Sequence, residues 1–355
     1  MAESVRIALD AMGGDNAPEE IVKGAIEGLK AYPKAKIILV GREKAIKAEL
    51  AKYQYNKSSI EIVNADEIID VNEKPTVAVK TKKNSSLVVA TNLVKEGKAD
   101  CVVSAGSTGA LFVAGTTIVK RIRGIERTPL GTVIPTATGF SLIVDSGANV
   151  DAKPSQLVQY AQMGSIYLEK CYGVKNPRVG LVNIGVEEEK GNEQVKATYP
   201  LLKECRDINF VGNIEAREIP NGAADVVVCD AFVGNVILKL YEGTAGALLK
   251  LVKAGMMSSV SGKIGGLLAK KPLKKSLKKF DASQYGGAPF LGMTGLVVKM
   301  HGSSKFKEVK AAIGQCFTFK SQNIPELIEK NIAAPAREAL EKERMAALNA
   351  GKETE

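Results

Sequence analysis

Val5-Arg6-Ile7-Ala8-Leu9-Asp10-Ala11-Met12-Gly13-Gly14-Asp15-Asn16-Ala17-Pro18-Glu19-Glu20 carries three signals in order. A short apolar run predicts a buried strand over Val5–Asp10. The Gly13-Gly14 pair lets the backbone turn tightly or approach a ligand. Pro18, followed by two acids, suits a first helical turn and predicts a helix over Glu19–Ala31. Strand, turn and helix in this order are the first part of a βαβ unit.

The same alternation recurs along the 355 residues. Further strands are predicted at Lys36–Gly41, Ile60–Val63, Asp100–Ser104, Gly131–Ile134, Ser141–Asp145, Arg178–Ile184, Ile208–Val211, Ala224–Cys229 and Leu296–Met300. Helices are predicted between them at Lys44–Lys52, Ser85–Glu96, Ala110–Lys120, Pro154–Cys171, Asn192–Cys205 and Asn235–Lys253. Most strands are continuous Val/Ile/Leu runs, as a parallel sheet covered on both faces requires. The fold class is therefore α/β: a three-layer α/β/α sandwich with a mostly parallel sheet, read as one domain over residues 1–355. The tail, Pro325–Gly351, reads as a helix with a frayed end. Ligands of such folds sit beyond the carboxyl ends of the strands.

Composition narrows the function. Charged residues make up 25% and apolar residues 45%, ordinary for a globular protein. Residues Met1–Arg6 lack a charged region followed by an apolar run, and no stretch approaches a membrane span, so a cytoplasmic protein is expected. Five scattered cysteines form no C-x-x-C pair, which fits a reducing compartment and argues against zinc. A net charge of +10 attracts acidic partners. Aromatics at 5% and the absence of tryptophan give poor stacking platforms, so no nucleic-acid partner is expected.

Six strand-end loops carry the polar chemistry. Asp10–Pro18 is acidic and glycine-rich, and reads equally as a capped turn or a site. Ser104-Ala105-Gly106-Ser107-Thr108 has hydroxyls and small residues but no acid, and offers a cradle for an anion. In Asp145–Asp151, Asn149 and Asp151 stand at a strand end, where an Asx turn is an equal reading. In Asn183–Glu193 the acidic triplet reads as a solvated face, Lys190 can meet phosphate, and Asn192 is placed to cap the next helix. Asp230–Asn235 ends in Gly234-Asn235, which reads as opening a long helix, with an amide able to donate to an oxyanion. His301-Gly302-Ser303-Ser304 holds the chain's one histidine.

Residues 258–282 form a basic segment. Lys263–Phe280 has seven lysines and no acid, and Leu273, Leu277 and Phe280 share one helical stripe. Lys270, Lys271, Lys274, Lys275 and Lys278 surround it. The pattern suits contact with anionic lipid or with an acidic protein, and equally a solvated helix face.

Taken together, DAMGGDNAP (10–18), SAGSTGA (104–110), Gly147–Asp151, NIGVEEEKGNE (183–193), FVGNVILK (232–239), YGGAPFLG (285–292) and HGSS (301–304) resemble the bacterial fatty acyl-ACP:phosphate acyltransferases. Asp230-Ala231-Phe232 departs from the Asp-Gly-Phe of that family, and Asp145-Ser146-Gly147 from its Asp-Val-Gly. The resemblance implies a fold related in outline to the isocitrate and isopropylmalate dehydrogenases and to phosphotransacetylases. It also implies a homodimer, peripheral membrane contact or contact with a membrane acyltransferase, and transfer of an acyl group from acyl carrier protein to inorganic phosphate. No cofactor and no metal are expected, since phosphopantetheine arrives on the carrier. On this reading Lys190, Asn235 and His301 carry the chemistry, while Ser104, Gly106, Ser107, Thr108, Asn149, Asn192, Ser303 and Ser304 bind phosphate or substrate. Asp10, Gly13, Gly14, Asp15, Asn16 and Asp230 shape the site. The competing readings are a short-chain phosphotransacetylase using coenzyme A, a nicotinamide-dependent dehydrogenase, and an adaptor built on the lysine run.

Overall fold

The computed structural model describes residues 4–277, 285–339 and 341. The described chain runs β1 (Val5–Asp10), α1 (Glu19–Ala31), β2 (Ala35–Gly41), α2 (Glu43–Leu50), β3 (Ile60–Asn64), α3 (Pro75–Thr81), α4 (Ser86–Lys95), β4 (Cys101–Ser104), α5 (Thr108–Ala114), β5 (Gly131–Thr136), β6 (Gly139–Val144) and α6 (Pro154–Tyr172). It continues through β7 (Arg178–Asn183), α7 (Glu193–Glu204), β8 (Asn209–Glu215), β9 (Val226–Val228), α8 (Ala231–Met257), α9 (Val260–Leu277), β10 (Ala288–Phe290), β11 (Leu296–Lys299), α10 (Phe306–Ser321) and α11 (Ile324–Ile328).

The chain expected as one domain divides into two compact units: residues 1–131, 162–176 and 283–355, and residues 132–161 and 177–282. Each has its own sheet, so the single sheet read from the sequence is two. Eleven strands exceed what one strongly twisted open sheet usually holds before it splits. The α/β class with mostly parallel strands stands.

The first unit's sheet has the order β10-β11-β4-β1-β2-β3. Its strands are parallel except β10, which pairs antiparallel with β11. Ile7, Leu9, Leu39, Val102 and Val297 are at most 1% exposed, so these apolar runs are buried on both faces. Each such side chain stabilises the fold by about 1.5–3 kcal/mol through removal from water. The sequence missed β10, a short edge strand in which Pro289 is tolerated because an edge needs fewer ladder donors. It also missed α3, which starts at Pro75, and α10.

The second unit's sheet has the order β5-β6-β9-β7-β8, with β6, β9, β7 and β8 parallel in turn. Here α8 begins at Ala231, four residues before the predicted start, because Asp230 caps it: the carboxylate accepts from Val233 N–H at 2.8 Å. The predicted Ala110–Lys120 helix is split into α5 and a π turn over Gly115–Val119. Of the predicted tail helix, Pro325–Gly351, residue 340 and the residues beyond 341 lie outside the described residues.

Candidate active-site loops

In the first unit, β1, β4 and β11 are neighbouring parallel strands, so the loops after Asp10, Ser104 and Lys299 emerge at one sheet edge. Their contacts are direct. Ser104 Oγ donates to Asp10 Oδ2 at 2.6 Å and accepts from Gly106 N–H at 3.0 Å. Met12 N–H donates to Asp10 Oδ1 at 3.2 Å. Asp15 N–H donates to the Gly302 carbonyl at 2.8 Å, and the Asn16 amide donates to the Ser303 and Ser304 carbonyls at 3.0 and 3.2 Å. Gly14 has φ +96°, and a Cβ there would lie 2.7 Å from Ala105 Cβ and 2.9 Å from the Gly302 oxygen. Only glycine lets these loops close on one another.

These contacts settle several side chains. Ser104 is fully buried with its hydroxyl engaged, so it holds the loop and does not offer that hydroxyl to an anion, as the sequence reading expected. Ser107 caps α5, its Oγ accepting from Ala110 N–H at 3.4 Å. Thr108 is half-buried beside it, and Ser304 is buried. Burial raises the Asp10 carboxyl above its ordinary value of 3.8, and the Ser104 hydroxyl opposes that rise. His301 is exposed, and its Nδ1 accepts from Ser303 N–H at 3.2 Å and meets Ser303 Oγ at 2.8 Å. The neutral ring therefore carries its proton on Nε2. Glu20, read as complementing the dipole of α1, accepts from Phe306 N–H at 2.7 Å at the start of α10.

In the second unit, β6, β9 and β7 are neighbouring parallel strands, and their trailing loops again share an edge. Asp145 organises the first. Its carboxylate accepts from the N–H groups of Gly147 (3.0 Å), Ala148 (2.9 Å) and Asn149 (2.9 Å) and from the Asn149 amide (2.8 Å). Ala231 N–H donates to the Asn149 carbonyl at 2.9 Å, joining the loop to α8. The Asn235 amide donates to the Ser146 carbonyl at 3.1 Å. A Cβ on Gly234 would lie 1.9 Å from the Asp145 carbonyl oxygen, so the helix can dock there only through glycine. Asn235 is therefore not at the helix opening; it stands in the second turn, with one of its two amide hydrogens committed to the loop. The two departures from the family pattern sit here without disturbance: Ala231 is the buried first residue of α8, and Ser146 Oγ bonds Thr132 Oγ1 at 2.6 Å.

The loop after β7 is held by Asn183, whose amide donates to the Lys190 carbonyl at 3.0 Å. The Lys190 side chain is exposed and has no ion-pair partner among the described residues. In the acidic triplet, Glu188 pairs with Lys203 at 2.8 Å and accepts from Tyr199 at 3.0 Å. Asn192 caps α7 as predicted, accepting from Val195 N–H at 2.9 Å.

Sequence reasoning missed Asp145 as the anchor of its loop. The pattern there points to an Asx turn or to a binding role for Asn149, and does not single out Asp145. In the basic segment, α9 runs through Pro272 to Leu277, with Leu267 and Leu268 73% and 75% exposed and Lys270, Lys271 and Leu273 also exposed. Lys274, Lys275 and Leu277 are described only as helical backbone, and Lys278 and Phe280 lie outside the described residues. Among the described residues no three metal-ligating side chains cluster, and no helix is long and apolar enough to cross a membrane.

A model of the family described as fatty acid synthesis protein matches residues 5–327. A phosphate acyltransferase from Clostridium acetobutylicum is 52% identical over 326 residues, covering 92% of this chain and 98% of its own length. A putative phosphate acyltransferase from Clostridium perfringens is 49% identical over 320 residues, covering 90% and 94%. Among solved structures, a phosphotransacetylase from Streptococcus pyogenes shares the fold with a TM-score of 0.60 at 18% identity, covering 89% of this chain and 94% of its own. One from Staphylococcus aureus gives a TM-score of 0.57 at 17% identity, covering 90% and 96%. The chain therefore belongs to the fatty acid synthesis protein family of phosphate acyltransferases, and it is an acyltransferase.

Proposed function

We propose that this enzyme transfers a long-chain fatty acyl group from acyl carrier protein to inorganic phosphate, in phospholipid synthesis. A phosphate oxygen attacks the thioester carbonyl, the carbon–sulfur bond breaks, and the products are acyl phosphate and the carrier thiol. Phosphate is a competent nucleophile near neutral pH, and a thiol with a pKa near roughly 8.5 leaves without full protonation. The reaction therefore asks for positioning and charge stabilisation more than for a strong acid–base pair.

The observation that carries the reading is the pair Lys190 and Asn235. They stand beyond the carboxyl ends of the neighbouring strands β7 and β9 and carry donors that packing does not consume. Lys190 holds phosphate, and the Asn235 amide meets phosphate or the developing oxyanion. Asn149, Asn192, Gly106, Ser107, Thr108, Ser303 and Ser304 contribute through loop backbone and remaining polar groups. His301 orients phosphate or returns a proton to the thiolate from Nε2. Asp10, Gly13, Gly14, Asp15, Asn16 and Asp230 hold the loops. No cofactor and no metal take part in this reading.

The same reading makes the protein a cytoplasmic homodimer with an outline kinship to the isocitrate and isopropylmalate dehydrogenases. Its net charge of +10 draws the acidic carrier, and the exposed Leu267 and Leu268 among the lysines of α9 touch an anionic membrane or a membrane acyltransferase. Lys190→Ala or Asn235→Ala should remove most phosphate-dependent turnover in a protein that stays folded; wild-type rates in either variant would remove that residue from the mechanism. Deleting Lys263–Phe280 should abolish binding to anionic liposomes while soluble turnover persists; unchanged liposome binding refutes the membrane role.

A further inference from the structure

Along α8 the second unit carries a cavity of about 830 Å³, inside the roughly 300–1,000 Å³ range of small-molecule sites. Ile134, Pro220, Ile237, Tyr241, Ala245 and Leu248 are among its walls. One wall is buried and apolar. Ile134 is 2% exposed and belongs to a buried cluster against which Ile237 and Leu238 pack. Tyr241 adds only its ring, because its hydroxyl donates to the Pro135 carbonyl at 2.6 Å. The charged residues of the lining are exposed and already paired, Arg217 with Glu215 at 2.7 Å and Glu242 with Lys239 at 3.5 Å. Farther along α8 the lining is exposed, with Leu248 56% exposed.

The cavity begins beside the chemistry. Thr132 lines it and bonds Ser146 at 2.6 Å, and the Ser146 carbonyl accepts the Asn235 amide. From Ile237 to Leu248 the helix rises roughly 17 Å. An acetyl group would leave such a space empty, and a phosphate or pantetheine would lose hydration there without gaining partners. A long hydrocarbon chain gains with each methylene removed from water.

We propose that this cavity receives the hydrocarbon chain of the acyl donor, with the carbonyl at the Asn235 end, and that the positions around Ala245 set the chain length accepted. The inference rests on the acyl-transfer reading above and deepens it. Two variants test it, Ala245→Phe and Thr244→Phe, each placing a ring in the cavity wall. Both are assayed with hexadecanoyl and octanoyl carrier protein, and both are titrated calorimetrically with hexadecanoate alone. The ratio of kcat/KM for the long over the short donor should fall at least about tenfold in at least one variant. Hexadecanoate should bind the wild type with a negative heat-capacity change and bind that variant more weakly. An unmoved ratio with wild-type fatty-acid binding overturns the proposal. So does an equal loss with both donors accompanied by a changed sedimentation coefficient, which would mean that a second copy of the chain covers this face. A wild type that turns over neither donor yet binds hexadecanoate through Ala245 would refute the acyl-transfer reading and leave the cavity standing.

Discussion

Replacing Asp145 by Asn should loosen the loop after β6 from the sheet. The carboxylate accepts four N–H donors, two at each oxygen, at 2.8–3.0 Å. An asparagine side chain keeps the shape but turns one oxygen into a donor, so two N–H groups lose their acceptor. Hydrogen bonds to a charged group contribute about 1.5–3 kcal/mol each. Two losses amount to about 3–6 kcal/mol, offset in part because the variant no longer buries a charge. A net destabilisation of about 3 kcal/mol is expected. It should appear as a lower urea midpoint with little change in slope. The functional effect runs through Ser146, whose carbonyl fixes the Asn235 amide at 3.1 Å. A loop displaced by about 1 Å should cost on the order of a hundredfold in kcat, with a smaller change in KM for the carrier. A variant within about 0.5 kcal/mol of wild type, with normal kcat, would refute the assignment of Asp145 as the anchor.

Gly234→Ala puts a Cβ 1.9 Å from a backbone oxygen; it should destabilise by about 1–3 kcal/mol and lower kcat, and a neutral result in thermal unfolding and turnover contradicts the close docking of α8. Because folded Asp10 holds its proton more tightly than the unfolded chain, its contribution is complete below the ordinary value of 3.8 and is lost as pH rises through the raised folded value. Wild type should therefore lose stability relative to Asp10→Asn as pH is raised from acid to neutral, and parallel denaturation curves at both pH values would refute the raised pKa. On the proposed reaction, raising salt should raise KM for the carrier by screening the net +10 charge; a salt-independent KM contradicts electrostatic steering of the carrier.

The first βα unit was legible because its signals are local: an apolar run, a glycine pair, a proline and two acids within sixteen residues, 5–20. The start of α8 was not. Gly234-Asn235 looks like a helix opening, but Gly234 is there to let the helix approach Asp145, a contact between residues far apart in sequence. The division of the strands into two sheets was hidden for the same reason, since a Val/Ile run does not name its neighbour. Ser104 read as an anion ligand because its loop lacks acid; the acid that takes its hydroxyl, Asp10, comes from a strand 94 residues earlier. Asn192 shows the opposite case, since a cap needs only the next turn of chain.

The proposed reaction passes an acyl group from carrier protein to phosphate. Release of free thiol from long-chain acyl carrier protein, measured with and without phosphate and with acyl-coenzyme A alongside, tests it most directly. Phosphate-dependent release from the carrier-bound donor, and little from coenzyme A, is the expected result. Turnover with coenzyme A alone, or release that ignores phosphate, would contradict it.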